Sequence, residues 1–103
     1  MSALVEFAMF PTDKGESVSA YVSRIMRALE EKGVDFQLTP MGTIFECETV
    51  EEATRIIDLA YSVLAPDCHR VYTTIKMDIR KGQSGRMRQK IASIQKHLSK
   101  NSL

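Results

Sequence analysis

Two histidines, two cysteines, a few strand carboxylates and a set of hydroxyls are the residues of this chain whose types could do chemistry. His69 and His97 lie far apart, and neither has a second histidine or a cysteine at helical metal-ligand spacing. Cys68 and His69 are adjacent, but neighbouring residues point in different directions and a closed zinc site needs about four ligands. Cys47 and Cys68 form no C-x-x-C pair, and no nucleophile stands beside a recognisable base. Glu6, Glu46 and Glu48 fall within β-prone segments. Catalytic carboxylates work as pairs in opposed environments, and no such pair is evident. The pattern therefore points to no catalytic residue and no metal.

Two further features invite a ligand reading. The stretch 11–17, with Asp13, Lys14 and Gly15 ahead of a helix, could present backbone donors to an anion. It holds one glycine and no G-x-x-x-x-G-K-[ST], so a nucleotide-binding loop is excluded and capping of the helix by Ser17 is the simpler role. The hydroxyls of Thr39, Thr43, Thr73, Thr74, Tyr21 and Tyr72 would gather on or near one sheet and its hairpin. A few polar groups on an apolar surface suit a small-molecule site, and they equally suit ordinary β-propensity.

The elements that must position these groups follow from periodicity. Residues 4–10 (LVEFAMF) read as a strand that Pro11 ends. Val18, Val22, Ile25, Met26 and Leu29 recur at helical spacing over 17–32, with Tyr21 at the edge of the stripe and Gly33 as the stop. Residues 36–39 and 43–48 form the arms of a hairpin around Pro40-Met41-Gly42. Thr49 with Glu52 is a capping-box pattern that opens a second helix, closed by Pro66 and Asp67. Its inner face is Val50, Ala53, Ile57, Ala60, Tyr61 and Leu64. Residues 70–80 alternate as a long, half-buried strand, 81–85 as a loop, and 86–100 as a helix with a narrow seam of Met87, Ile91, Ile94 and Leu98.

The order is strand, helix, strand, strand, helix, strand, helix. Ser17, Val18 and Ile25 are echoed by Thr49, Val50 and Ile57 at a constant offset of 32. Two interleaved halves give an α+β, ferredoxin-like βαββαβ sandwich with a four-stranded antiparallel sheet, both main helices on one face, and an extra C-terminal helix. That topology sets the first and last strands side by side and Glu6 within reach of Lys76, as an ion pair at a subunit interface or as a ligand contact. On the first strand both faces are apolar, Val5, Phe7 and Met9 on one and Leu4, Ala8 and Phe10 on the other. A two-layer monomer needs only one apolar face, so the open face predicts self-association.

Composition narrows the classes. The chain is 44% apolar and 26% charged, the balance of a globular protein, and its 103 residues fit one domain, 1–103. No run approaches the roughly 20 apolar residues of a spanning helix, and the first residues carry no basic leader, so a cytoplasmic address without membrane contact is expected. Two cysteines are far fewer than a disulfide-dependent secreted domain uses. Eight of the basic residues lie in 76–100 beside one acid, while 1–75 holds six basic residues and twelve acids. No aromatic residue interleaves with that basic stretch, so it reads as a solvated helix facing acidic protein surface, not as a nucleic-acid site.

Three blocks, MFPTDKGESVS (9–19), TPMGTIFE (39–46) and RVYTTIKMDIRKG (70–82), resemble in order the signature blocks of the thiamine-binding YkoF-like family of small ferredoxin-like proteins. The resemblance implies a non-enzymatic protein without a cofactor, assembled as a dimer or tetramer. It further implies thiamine or its hydroxymethylpyrimidine part as ligand. Threonine hydroxyls and backbone groups near Gly42 suit the nitrogens and amine of such a ring, which makes Thr39, Gly42 and Thr43 at the hairpin the candidate site residues, with Tyr21 and Thr74 as outliers. The alternative is a structural or regulatory interaction module that uses the open sheet face and the basic C-terminal helix.

Overall fold

The computed structural model describes residues 1–82 and 84–101. Its elements run β1 (Ser2–Pro11), α1 (Ser19–Glu31), β2 (Phe36–Thr39), β3 (Gly42–Cys47), α2 (Val50–Leu64), β4 (Val71–Arg80) and α3 (Arg86–Asn101). The expected loop 81–85 includes position 83, which lies outside the described residues.

The four strands form one antiparallel sheet of order β2-β3-β1-β4, the ferredoxin-like arrangement. Along β1 the alternation is strict. Ala3, Val5, Phe7 and Met9 are buried under the helices, whereas Leu4, Glu6, Ala8 and Phe10 line the other face. Phe7 and Phe45 meet edge to face at 5.8 Å, and Ile25, Leu29, Ala53, Ala60 and Leu64 complete the core from α1 and α2. Glu6 stands opposite Lys76 in the β1–β4 ladder, as the topology required.

Four local details differ from the sequence reading. β1 reaches Pro11, which pairs with Val71 beyond the last β1–β3 pair at Phe7, so its missing donor leaves no ladder bond unmade. α1 is capped by Val18, without a side-chain bond, not by Ser17: the Val18 carbonyl already receives the amides of Tyr21 and Val22. α2 keeps its expected cap, with Thr49 accepting from the Glu52 amide at 3.1 Å. The constant offset between the two helix starts is therefore lost in space, since α1 begins one residue later relative to its echo. The fourth detail concerns β4, whose helix-side residues Ile75 and Ile79 remain 45% and 50% exposed because α1 and α2 do not extend over that edge.

α3 departs from the two-layer body. Its first turn lies against β1 and β3, and its described residues after Met87 are exposed. The Cα radius of gyration is 15.6 Å, larger than the ~13 Å of a compact 100-residue domain. A projecting helix accounts for the excess.

Candidate functional site

The β2–β3 hairpin is shaped by one threonine. The Thr39 hydroxyl accepts the amides of Met41 (3.2 Å) and Gly42 (3.1 Å) and donates to the Gly42 carbonyl (2.8 Å), which uses its whole hydrogen-bonding capacity. Gly42 is required for a different reason. A Cβ there would stand 2.9 Å from the Phe7 carbonyl oxygen, so a side chain would push the hairpin off β1. Together these two residues set the turn at a fixed distance from α1.

Between that hairpin and α1 lies a hollow of about 290 Å³, close to the lower end of the ~300–1,000 Å³ typical of small-molecule sites. Val22, Ile25 and Met26 wall it from α1, Phe7 and Phe10 from β1, and Leu38 to Thr43 from the hairpin. None of the residues around it carries a charge. Thr43 is 3% exposed and donates to the Met26 sulfur at 3.6 Å. A thioether is a weak acceptor, so this hydroxyl is available to a better partner.

The structure thus brings Thr39, Gly42 and Thr43 to one hollow and leaves Tyr21 and Thr74 outside it. Tyr21 lies under the Arg24 guanidinium, 5.4 Å from its ring centroid, and Arg24 in turn holds Asp67 through two bonds of 3.0 Å. Thr74 is exposed on the open sheet face, opposite Ala8. Sequence reasoning passed over Val22, Met26, Leu38 and Phe10. Their only signal was apolar spacing, which does not separate a hollow's wall from a core.

The other chemical candidates have structural partners. Asp13 accepts the His69 amide at 2.8 Å, which holds its carboxyl below the usual range and ties the 11–17 loop to the start of β4. Burial, reinforced by Glu52 and Glu46, pushes the Cys47 thiol up to about 11, and burial also raises Cys68. Neither is a thiolate near neutral pH. Among the described residues no group of three or more His, Cys, Asp or Glu could hold a metal ion, and no helix is long and apolar enough to cross a membrane.

At the far end of the sheet's open face, Glu46 receives the amides of Arg86 (2.9 Å) and Met87 (3.1 Å) and so caps α3 from another element. Burial works against ionisation of Glu46, but the Met87 and Arg86 amides outweigh it and hold its carboxyl below the usual range. The Arg86 side chain, 3% exposed, donates to the Ser2 hydroxyl (2.8 Å), the Ser2 carbonyl (3.0 Å) and the Asp78 carboxylate (2.8 Å). This clasp fastens α3 to the sheet.

Comparison with known proteins agrees with the three sequence blocks. Residues 5–95 match the model of a family described as thiamine-binding protein. A UPF0045 protein of Mycobacterium bovis is 33% identical over 98 residues, covering 95% of this chain and 96% of its own. The crystal structure of a hypothetical protein from Methanocaldococcus jannaschii superposes with a TM-score of 0.79 at 27% identity, over 90% of this chain and 95% of that one. A candidate thiamine biosynthesis or salvage protein of Thermotoga maritima shares the fold, with a TM-score of 0.74 at 17% identity over 91% of this chain and 99% of its own.

Proposed function

The chain belongs to the thiamine-binding protein family, and we propose that the hollow between α1 and the β2–β3 hairpin binds the hydroxymethylpyrimidine ring, free or as part of thiamine. The observation that carries this reading is the match of chemistry: an uncharged, largely apolar hollow with one buried hydroxyl, Thr43, whose present partner is only a sulfur. A neutral pyrimidine presents ring nitrogens and an exocyclic amine to such a hydroxyl and to hairpin backbone groups. The thiazolium cation of whole thiamine meets no carboxylate among the residues around the hollow. The pyrimidine is the part recognised. Thr39 and Gly42 act by shape, since the turn already occupies their polar groups.

The protein works as a non-enzymatic binder. Both thiols are held protonated by burial, and the carboxylates with resolved partners serve as caps and ion pairs. It does so as a cytosolic homo-oligomer. The open sheet face supports that part of the reading, because Leu4, Ala8, Phe10 and Ile44 leave it apolar without a layer of helices over it.

Isothermal titration with hydroxymethylpyrimidine and with thiamine tests the proposal. Saturable binding of one pyrimidine per subunit is expected. Thr43→Val, which keeps the shape and removes the hydroxyl, should weaken it about fivefold, the equivalent of ~1 kcal/mol for one hydrogen bond. Absence of heat with both compounds from folded protein rules the reading out.

A further inference from the structure

Three of the chain's six methionines, Met9, Met26 and Met41, stand around the hollow, on β1, on α1 and at the hairpin turn. They differ in access. Met41 is 84% exposed, Met26 is half-buried beside the open space, and Met9 is buried in the core. Met26 differs in a second way: its sulfur accepts the Thr43 hydroxyl at 3.6 Å, so the buried hydroxyl of the hollow is held by a group whose chemistry an oxidant changes.

We propose that Met26 is a reversible oxidation site for hydroperoxides that regulates the hollow, a role that rests on the pyrimidine-binding reading. A lone pair of the thioether attacks one peroxide oxygen. The S–O bond forms as the O–O bond breaks, and the departing oxygen takes the proton to leave as water or, from an organic hydroperoxide, as an alcohol. Sulfur gives up two electrons and the peroxide receives them. A thiol-dependent reductase reverses the step, since two thiols become a disulfide while the oxygen leaves as water.

The effect on binding follows from hydrogen-bond strength. A thioether is a weak acceptor that a pyrimidine nitrogen can replace, whereas a sulfoxide concentrates negative charge on its oxygen and holds a hydroxyl firmly. The methionine side chain is unbranched and flexible, and the hollow beside it holds about 290 Å³, so the new oxygen has the freedom and the room to reach Thr43. Oxidised Met26 therefore keeps the hydroxyl that the ligand needs. A bound pyrimidine in turn covers the sulfur, so ligand and oxidant compete for one place. Met41 is oxidised sooner because of its exposure, but the Thr43 hydroxyl is bonded to Met26 and stays there. Both thiols are buried and protonated, the slowly reacting form, and do not divert the peroxide.

Hydrogen peroxide treatment of the full chain, followed by peptide mass mapping and titration with hydroxymethylpyrimidine, tests the switch. Met41 should gain oxygen first, Met26 next and Met9 last, and saturating hydroxymethylpyrimidine should slow the reaction of Met26. Once Met26 is converted, affinity should fall about fivefold, the loss of one hydrogen bond. Each variant is compared with its own untreated form. Met41→Leu should lose as much as the wild type on treatment. Met26→Leu, without the sulfur, and Thr43→Val, without the hydroxyl, should each change by less than about twofold. Undiminished affinity of wild type oxidised at Met26, a Met26 that stays reduced while Met9 reacts, or a fivefold loss in treated Met26→Leu overturns the proposal and leaves the binding reading intact. No binding by the untreated wild type overturns both.

Discussion

α2 and α3 are nearly equal in length, at 15 and 16 residues, and both carry apolar residues at helical spacing, yet they are held in opposite ways. α2 buries Ala53, Ala60 and Leu64 completely against the sheet and is fastened by apolar contact along its length. α3 leaves Ile94 and Leu98 61% and 65% exposed and is held by a polar clasp at its first turn, Arg86 on Ser2 and Asp78 with Glu46 on the helix amides. Amphipathic spacing alone therefore does not say whether a helix belongs to the core. The fastening residues do, and in α3 they are charged.

The contrast can be broken most severely from the α2 side. Leu64→Ala removes a fully buried side chain and should cost about 2–5 kcal/mol of stability, read as a lower urea midpoint with an unchanged slope. Arg86→Ala should cost less, about 1–3 kcal/mol, because it leaves the Ser2 groups without their donor while Asp78 keeps Lys90 and much of it still reaches water. Its effect should be local. Amides of α3 should lose hydrogen-exchange protection while those of α2 keep it, and equal loss in both helices would erase the distinction drawn here.

Acid should sharpen the same difference. Lys90 holds the Asp78 carboxyl below its usual range, with Arg86 adding to the effect against the opposing influence of burial, and the helix amides do the same for Glu46. Groups whose folded values are depressed contribute stability above their unfolded values, roughly 3.9 for Asp and 4.3 for Glu, and lose it as pH falls through the folded ones. The clasp should therefore weaken below about pH 4, with α3 opening before α2 in exchange measurements. Concurrent opening would contradict this. The smallest effect is expected for Ile94→Ala, within ~0.5 kcal/mol in dilute protein, since the side chain is already in water.

The same contrast explains what could be read without coordinates. Strand alternation, the Thr49 cap and the Gly33 stop are local signals, and each marks its element to within about two residues. Ser17 misled because serine before an apolar stripe is a cap only if the helix starts at the next residue, and α1 starts at Ser19, one residue beyond that. The clasp was illegible for another reason: Ser2 and Arg86 are 84 positions apart, and no periodicity links them. The hairpin half of the candidate site was legible through Thr39, Gly42 and Thr43. Its α1 wall was not, because Val22 and Met26 look like any other core-facing residues until the hollow beside them is seen.

The central claim is that a pyrimidine binds between α1 and the hairpin, and amide chemical-shift mapping during titration with hydroxymethylpyrimidine tests it most directly. Saturable shifts concentrated at Val22, Met26, Leu38, Gly42 and Thr43 are the predicted result. Shifts concentrated instead at Leu4, Glu6, Thr74 and Lys76 would move the site to the open sheet face and contradict the account.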